Sequence, residues 1–126
     1  MKSLIISLSL AVLVVVFSIG YTFKIDAVAN ELREQNNEIA ISLENENYES
    51  ALEKADKLSS CIEDKKTLME AIGNHEEIKS IEMNIAEMKE YIRGRERSDA
   101  LSKCSLLDFL FSYLPESYHL KAENIL

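Results

Sequence analysis

Two histidines, with carboxylates beside one of them, are the residues of this sequence that could do chemistry. His75 is followed directly by Glu76 and Glu77, and the second histidine, His119, lies far along the chain. Imidazole nitrogens and carboxylate oxygens bind zinc, and a histidine can also act as a general acid or base. A metal-binding protein or a metal-dependent enzyme using His75 and His119 is therefore one hypothesis for the function.

The residues around His75 favour a structural explanation over a catalytic one. A zinc-binding helix of the H-E-x-x-H kind needs a histidine four residues on, where this chain has Lys79. Asn74 with Glu77 three residues later matches a helix N-cap and its acidic partner, and Glu76 and Glu77 suit the positive end of a helix dipole. No G-x-S-x-G motif or glycine-rich phosphate loop occurs in the sequence. We therefore expect a protein that is not an enzyme and that needs no cofactor or metal.

The composition predicts a single all-α domain with an acidic surface. The chain has 126 residues with only three glycines and one proline, and glutamate, lysine, leucine, isoleucine and alanine are frequent. Its formal net charge is −8. Because such a surface repels phosphate groups, we expect no binding of nucleic acid.

Residues 1–23 predict a transmembrane anchor. Residues 4–23 contain no charged side chain, and a helix of that length spans the ~30 Å hydrocarbon core of a lipid bilayer. The alternative is a cleaved signal peptide, whose apolar stretch would be shorter and would end near small residues. The only A-x-A sequence, residues 27–29, lies beyond Lys24. We therefore expect an uncleaved single-pass anchor in the bilayer.

The flanking charges predict the orientation of this anchor in a cell membrane. Lys2 is the only charged side chain ahead of the span, and positive charge is retained on the inner side. We expect the N-terminus inside and residues 24–126 outside, as an extracytoplasmic domain.

Apolar spacing predicts that the anchor continues into an antiparallel bundle of about four helices. The first helix should run to about Leu43, the second from Tyr48 to Ile72, and the third should show a coiled-coil-like seam. That seam consists of Ile78, Ile81, Ile85, Met88 and Ile92. The fourth helix is apolar over a wide arc, so we expect it to be the most buried.

The residues expected to end and begin these helices are mostly glycine, asparagine and proline. Gly73 and Gly94 are the expected C-terminal stops, and Asn47 and Ser98 are the expected N-caps. Pro115 should begin a short new helix, because proline cannot continue a helix ladder.

Residues 74–92, "NHEEIKSIEMNIAEMKEYI", and the final residues 114–126, "LPESYHLKAENIL", together resemble a known family. It is the uncharacterised bacterial membrane family named domain of unknown function 4363, and the resemblance covers essentially the whole chain. It implies an N-terminal anchor followed by helices but no activity. The matching positions are His75, Glu76, Glu77, Ile78, Ile81, Glu82, Tyr91, Ile92, Pro115, Glu116, Asn124, Ile125 and Leu126.

Two departures from the family pattern stand out. Asn74 replaces an aspartate that members often carry, and the chain lacks the tryptophan that they often have late in the second helix. A contact that depends on this tryptophan is therefore in doubt here.

The up-down topology places the start of the third helix and the C-terminal residues at one end of the bundle. We therefore predict a candidate interaction surface at this end, and it consists of His75, Glu76, Glu77, Asn124, Ile125 and Leu126. The alternative is that Ile125 and Leu126 only close the bottom of the core.

Three functions remain open from the sequence. The leading hypothesis is a non-enzymatic, anchored interaction module that contacts another membrane or envelope protein. The alternatives are the metal-dependent protein described above and a purely structural spacer. The spacer hypothesis predicts that surface substitutions at His75 and Glu76 have no effect in cells.

The two cysteines, Cys61 and Cys104, are expected to be free thiols. Counted from the distal turns, their positions along the second and fourth helices differ by about 10 Å. A disulfide needs a Cα separation below about 7 Å. Cys104 also falls on the apolar face, so it should be a buried small side chain.

Overall fold

The computed structural model describes the backbone of residues 2–72 and 75–125, and the side chains of residues 2–20, 24–70 and 75–114. The described backbone forms four helices, so the predicted all-α fold is confirmed. They are α1 (Lys2–Glu44), α2 (Tyr48–Ile72), α3 (His75–Arg93) and α4 (Arg97–Ile125). The expected stop at Gly73 and the expected N-cap at Asn74 lie outside the described residues.

Helix α1 consists of an apolar N-terminal part and a second part that packs in the bundle. Its large apolar side chains from Leu4 to Ile19 are all more than half exposed, so nothing else in the described chain covers them. The helix is long and apolar enough to cross a membrane. From Ile25 onward one apolar face of the helix is buried, whereas Ile41 on its outer side is 48% exposed. No break in the backbone helix separates the two parts.

The four helices form an antiparallel bundle in which each helix packs beside two others. Helix α1 packs against α2 and α4, and α3 packs against the same two helices. Side-chain contacts show the opposite directions of neighbouring helices. Glu31 binds Lys65 at 2.8 Å, whereas Ser42, farther along α1, accepts a hydrogen bond from the earlier Lys54 at 2.9 Å. The short turns at the end of α1 and the end of α3 therefore lie side by side at one end, called here the distal end.

The core contains one apolar seam from each helix. All five residues of the predicted α3 seam are buried, which confirms that spacing by three and four places one face of this helix inward. Helix α2 contributes small residues as well as large ones, because Ala51 and Ala55 are fully buried beside Leu58 and Ile62. Among the side chains that the structure describes, the largest fully buried one is Phe111 of α4.

Helix α4 differs from its sequence-based description in two respects. It was expected to be the most buried helix, but Leu106 and Phe109 are 41% and 63% exposed. The prediction is wrong because α4 has neighbours on two sides only, so an apolar arc wider than this contact remains uncovered. The expected break at Pro115 is also absent, since α4 continues to Ile125. Proline costs this helix one backbone hydrogen bond without ending it.

The two turns at the distal end have the same hydrogen-bond pattern. After α1, the Glu46 N–H donates to the Leu43 carbonyl, and the Asn47 N–H donates to the Ser42 carbonyl. After α3, the Arg95 N–H donates to the Ile92 carbonyl, and the Glu96 N–H donates to the Tyr91 carbonyl. These are Schellman motifs, which need one residue in the left-handed conformation. Glu46 and Arg95 take that role, with φ of 58° and 57°. The left-handed residue after α3 is therefore Arg95 and not the expected Gly94.

Of the two predicted N-caps within the described residues, one is confirmed and one is wrong. Asn47 is confirmed, because its side-chain oxygen accepts a hydrogen bond from Ser50 N–H at 3.2 Å. Ser98 is not a cap, because α4 already begins at Arg97 and Ala100 N–H bonds to the Glu96 carbonyl.

We expect Glu46→Gly to raise the free energy of unfolding by about 1 kcal/mol, because glycine adopts positive φ without the Cβ strain of other residues. The exposed pair of Glu46 with Arg97, 3.5 Å apart, contributes little. Urea unfolding of the full chain in a non-ionic detergent, followed by circular dichroism, measures the change. The matched control is Glu44→Gly, two residues earlier and still helical, which should destabilise by about 1 kcal/mol. Equal effects of the two substitutions would contradict the turn assignment.

Candidate functional site

His75 is the first residue of α3 and pairs across the α2–α3 connection. Its Nδ1 atom lies 3.3 Å from the Oε1 atom of Glu70, in the last turn of α2. The imidazole is 63% exposed. Glu76 and Glu77 follow in the first turn of α3, where the helix dipole favours acidic side chains. Sequence reasoning did not identify Glu70, five residues earlier, as a partner of His75.

Among the described residues, no group of three or more His, Cys, Asp and Glu side chains is arranged to hold a metal ion. The side chain of His119 lies outside this part of the chain. A site that combines His75 with His119 therefore stays a sequence-based hypothesis.

The C-terminal half of the predicted interaction surface is described only in part. Asn124 and Ile125 belong to the last turn of α4, but their side chains lie outside the described residues, as does all of Leu126. The proximity of His75 to this tail stays a prediction.

A buried polar contact joins α1 to α4. Asn36 is 2% exposed, and its Nδ2 atom donates a hydrogen bond to the Cys104 carbonyl at 2.7 Å. Its Oδ1 atom is buried and has no hydrogen-bond partner within the described chain. Sequence reasoning missed this residue, although an asparagine beside the buried positions Leu32 and Ile39 is a detectable signal. A buried asparagine at one position of a helical seam can fix the register of its neighbour.

An open groove of 710 Å³ lies along the same α1–α4 boundary, lined in part by Arg33, Asn37, Ser105 and Asp108. Asn36 and Cys104 also line this groove, although the Asn36 Oδ1 atom itself is buried.

The two cysteines are free, as the helix register predicted. Cys61 is half-buried, and its Sγ atom lies 3.8 Å from the Glu31 carboxylate of α1. Cys104 is 4% exposed and lies 3.5 Å from the Met88 sulfur of α3. Burial raises the pKa of the Cys104 thiol to about 12, so at neutral pH almost none of it is the reactive thiolate.

We therefore expect a maleimide reagent at pH 8 to modify Cys61 and not Cys104 in the folded protein. Mass spectrometry should show one added group before unfolding and two after unfolding in urea. As a control, the Cys61→Ser chain should remain unlabelled until it is unfolded. Rapid labelling of Cys104 in the folded chain would contradict its burial.

Between Ser102 and Tyr113, one exposed side of α4 carries no charged residue. It consists of Ser102, Ser105, Leu106, Phe109, Ser112 and Tyr113, which are all exposed and are called here the α4 face. The Phe109 and Tyr113 rings stack, with their centroids 6.4 Å apart and an angle of 15° between their planes. Serines with exposed aromatic and aliphatic side chains give a surface that another protein can cover at little desolvation cost.

Ion pairs border the α4 face on both sides. Towards α3, Lys103 lies 2.6 Å from Glu87, and towards α1, Asp108 lies 3.0 Å from Arg33. Each pair is neutral as a whole. The α4 face and the two ion pairs that border it therefore have no net charge, although the whole chain carries −8.

These features define an all-α protein, with one long apolar helix that continues into a four-helix bundle and an uncharged face on the last helix. The family described as domain of unknown function (DUF4363) matches residues 19–125, and the chain belongs to this family. The match confirms the resemblance seen in the sequence. No curated protein and no solved structure showed significant similarity to the chain.

Proposed function

We propose that this protein is a non-enzymatic interaction module, anchored by α1 in a bacterial membrane and acting on the outer face by contact with another protein. The α4 face supports this proposal most directly. Phe109 is 63% exposed and Tyr113 is 38% exposed, and they lie on a side of α4 that has no charged residue between Ser102 and Tyr113. Aromatic residues are enriched and charged residues are depleted at the centres of protein interfaces.

The continuity of α1 supports the anchoring part of the proposal. An apolar stretch that packs against nothing else in the described chain needs an apolar environment, and a bilayer supplies one. The remainder of α1 is built into the core, where Leu32, Ile39 and Leu43 are fully buried. An anchor of this kind holds the bundle directly on the membrane without a flexible linker.

Cys61 offers a direct test of the orientation. In intact bacterial cells expressing the full chain, a membrane-impermeant maleimide should label Cys61 if the bundle lies outside. The Cys61→Ser chain should remain unlabelled, because Cys104 is buried. Labelling only after the cells are permeabilised would place the bundle inside and overturn the outer-face proposal.

A photo-crosslinking amino acid tests the contact itself. At position 109 in native membranes, it should produce a discrete crosslinked product of higher mass. At position 60, where an exposed serine lies on α2, it should not. If position 109 gives no more product than position 60, the α4 face has no partner and the proposed function fails.

A further inference from the structure

Two contacts fix how α4 lies along α1. Arg33 pairs with Asp108 at 3.0 Å, and the buried contact of Asn36 with α4 gives the same register within one residue. In an antiparallel pair, each residue later in α4 lies level with a residue earlier in α1. Ile125, the end of α4, is seventeen residues beyond Asp108, and Val16 is seventeen residues before Arg33. The end of α4 is therefore level with Val16, in the apolar part of α1.

Helix α2 ends well before that level. Its Lys65 pairs with Glu31 of α1 at 2.8 Å, so its last residue, Ile72, is level with Lys24. Helix α3 begins three residues later in the chain and so starts near the same level. Beyond it, residues 117–125 of α4, called here the α4 tail, continue for about 12 Å. Among the four described helices, only α1 extends to the level of the α4 tail.

The level of the α4 tail coincides with the outer end of the uncharged stretch of α1. Residues 16–24 of α1 lie at this level, and residues 4–23 contain no charged side chain. A crossing angle of about 20°, which is usual in helix bundles, shifts this level by only about one residue. With α1 spanning a bilayer as proposed, the α4 tail therefore reaches the depth of the membrane.

We propose that the α4 tail, level with residues 16–24 of α1, lies in the lipid headgroup layer and forms a second contact with the membrane. This inference rests on the anchoring part of the proposed function. The tail sequence "SYHLKAENI" contains Lys121 and Glu123, and two charges in so short a helix end disfavour the hydrocarbon core. Because the level of the tail excludes bulk water, the headgroup layer between the two is its place.

The mixed composition of the α4 tail suits this layer. Besides its charged residues the tail contains Tyr118, Leu120 and Ile125. Tyrosine is enriched where apolar chains meet water, and helix segments that mix apolar and charged residues bind at this boundary. Charged residues at this depth also draw headgroups and water towards them. We therefore expect the bilayer to be locally thinner beside α1.

Quenching of a fluorescent label by spin-labelled lipid tests this placement in the full chain. In a Cys61→Ser background, the substitutions Ser102→Cys, Ser112→Cys and Leu120→Cys each introduce one thiol along α4, while Cys104 stays buried. Each chain is labelled with nitrobenzoxadiazole and reconstituted in phosphatidylcholine vesicles, in which a fraction of the lipid carries a nitroxide on its headgroup. The loss of emission should increase from position 102 through 112 to 120, because the register brings each position closer to the membrane.

A label on α1 provides the matched control for anchoring. Leu13→Cys, in the same background, lies in the middle of the uncharged stretch. Its label should lose more emission to a nitroxide at the end of the acyl chain than to one on the headgroup. The label at position 120 should show the reverse preference. Circular dichroism of each labelled chain checks that its helices are intact.

Two outcomes would overturn the inference while leaving the anchor in place. In the first, the label at position 120 loses no more emission than the label at position 102, which would place the α4 tail in water. In the second, it loses more to the acyl-chain nitroxide than to the headgroup nitroxide, which would place the tail in the hydrocarbon core. If neither lipid quenches the label at position 13, α1 does not lie in the bilayer, and the proposed anchoring fails together with this inference.

Discussion

Replacing Phe111 with alanine is expected to lower the free energy of unfolding by about 3–5 kcal/mol, because it removes a buried ring and leaves a cavity. Phe111 is fully buried and is the largest such side chain described. A domain of this size is stable by only about 5–15 kcal/mol. The variant should therefore lose much of its free energy of unfolding.

The natural control for Phe111 is the other phenylalanine of the same helix. Phe109 lies two residues earlier and is 63% exposed, so Phe109→Ala should change the stability by no more than about 0.5 kcal/mol. Urea unfolding of both full-length variants in non-ionic detergent, followed by circular dichroism, provides the comparison. A similar loss in the two variants would mean that the rotation of α4 in the bundle is wrong.

Asn36→Asp is expected to cost about 3–5 kcal/mol at pH 7, because it leaves a buried charge without a compensating partner. Asn36 is 2% exposed, and its amide nitrogen donates to the Cys104 carbonyl. The introduced carboxylate has no proton to donate, so one of its oxygens would face the Cys104 carbonyl oxygen. Asn37→Asp, on the adjacent exposed residue, should have little effect.

The loss of free energy of unfolding caused by Asn36→Asp should increase as the pH rises. Burial raises the pKa of the introduced carboxyl in the folded state above its unfolded value of about 3.9. The folded variant then binds more protons than the unfolded chain between these two pKa values. Its free energy of unfolding therefore falls as the pH rises through that window, relative to the natural chain. A penalty that stays constant from pH 4 to pH 7 would contradict the burial of this position.

The strongly periodic elements were predictable from the sequence. In α3, charged residues separate the apolar ones so clearly that a single inward face is possible, and all five predicted seam residues are buried. In α1, one apolar face at helical spacing is buried as well, and it consists of Ile25, Val28, Leu32, Ile39 and Leu43. Alternation of polar and apolar residues at helical spacing determines which face is inward, without information on the neighbouring helices.

The inward side of α4 was predictable, but the extent of its burial was not. The spacing of Leu107 and Phe111 places them on one side of the helix, and both are fully buried. Further apolar residues widen the arc beyond that side, and periodicity alone does not show that Leu106 and Phe109 remain exposed. The α4 face was missed for this reason.

The left-handed residue after α3 was also not predictable from the local sequence. Gly94 was the natural choice for a left-handed residue, but the last helical hydrogen bonds place that conformation one residue later, at Arg95. Which residue occupies it depends on where the helix ends in the bundle. The Arg95 guanidinium then lies 5.6 Å from the centre of the Tyr48 ring, a contact between the two distal turns that a left-handed Arg95 allows.

Because α1 is one continuous helix, its N-terminal part and the bundle are joined without a flexible segment. The helix runs from Lys2 to Glu44, and its last twenty or so residues extend about 30 Å beyond the apolar part. With α1 anchored in a bilayer as proposed, a change of about 10° in its tilt would displace its far end sideways by about 5 Å, and bilayers of different thickness impose changes of this size. A change in bilayer thickness or lateral tension would then reach the distal turns as a rigid-body displacement, with no intervening joint to absorb it.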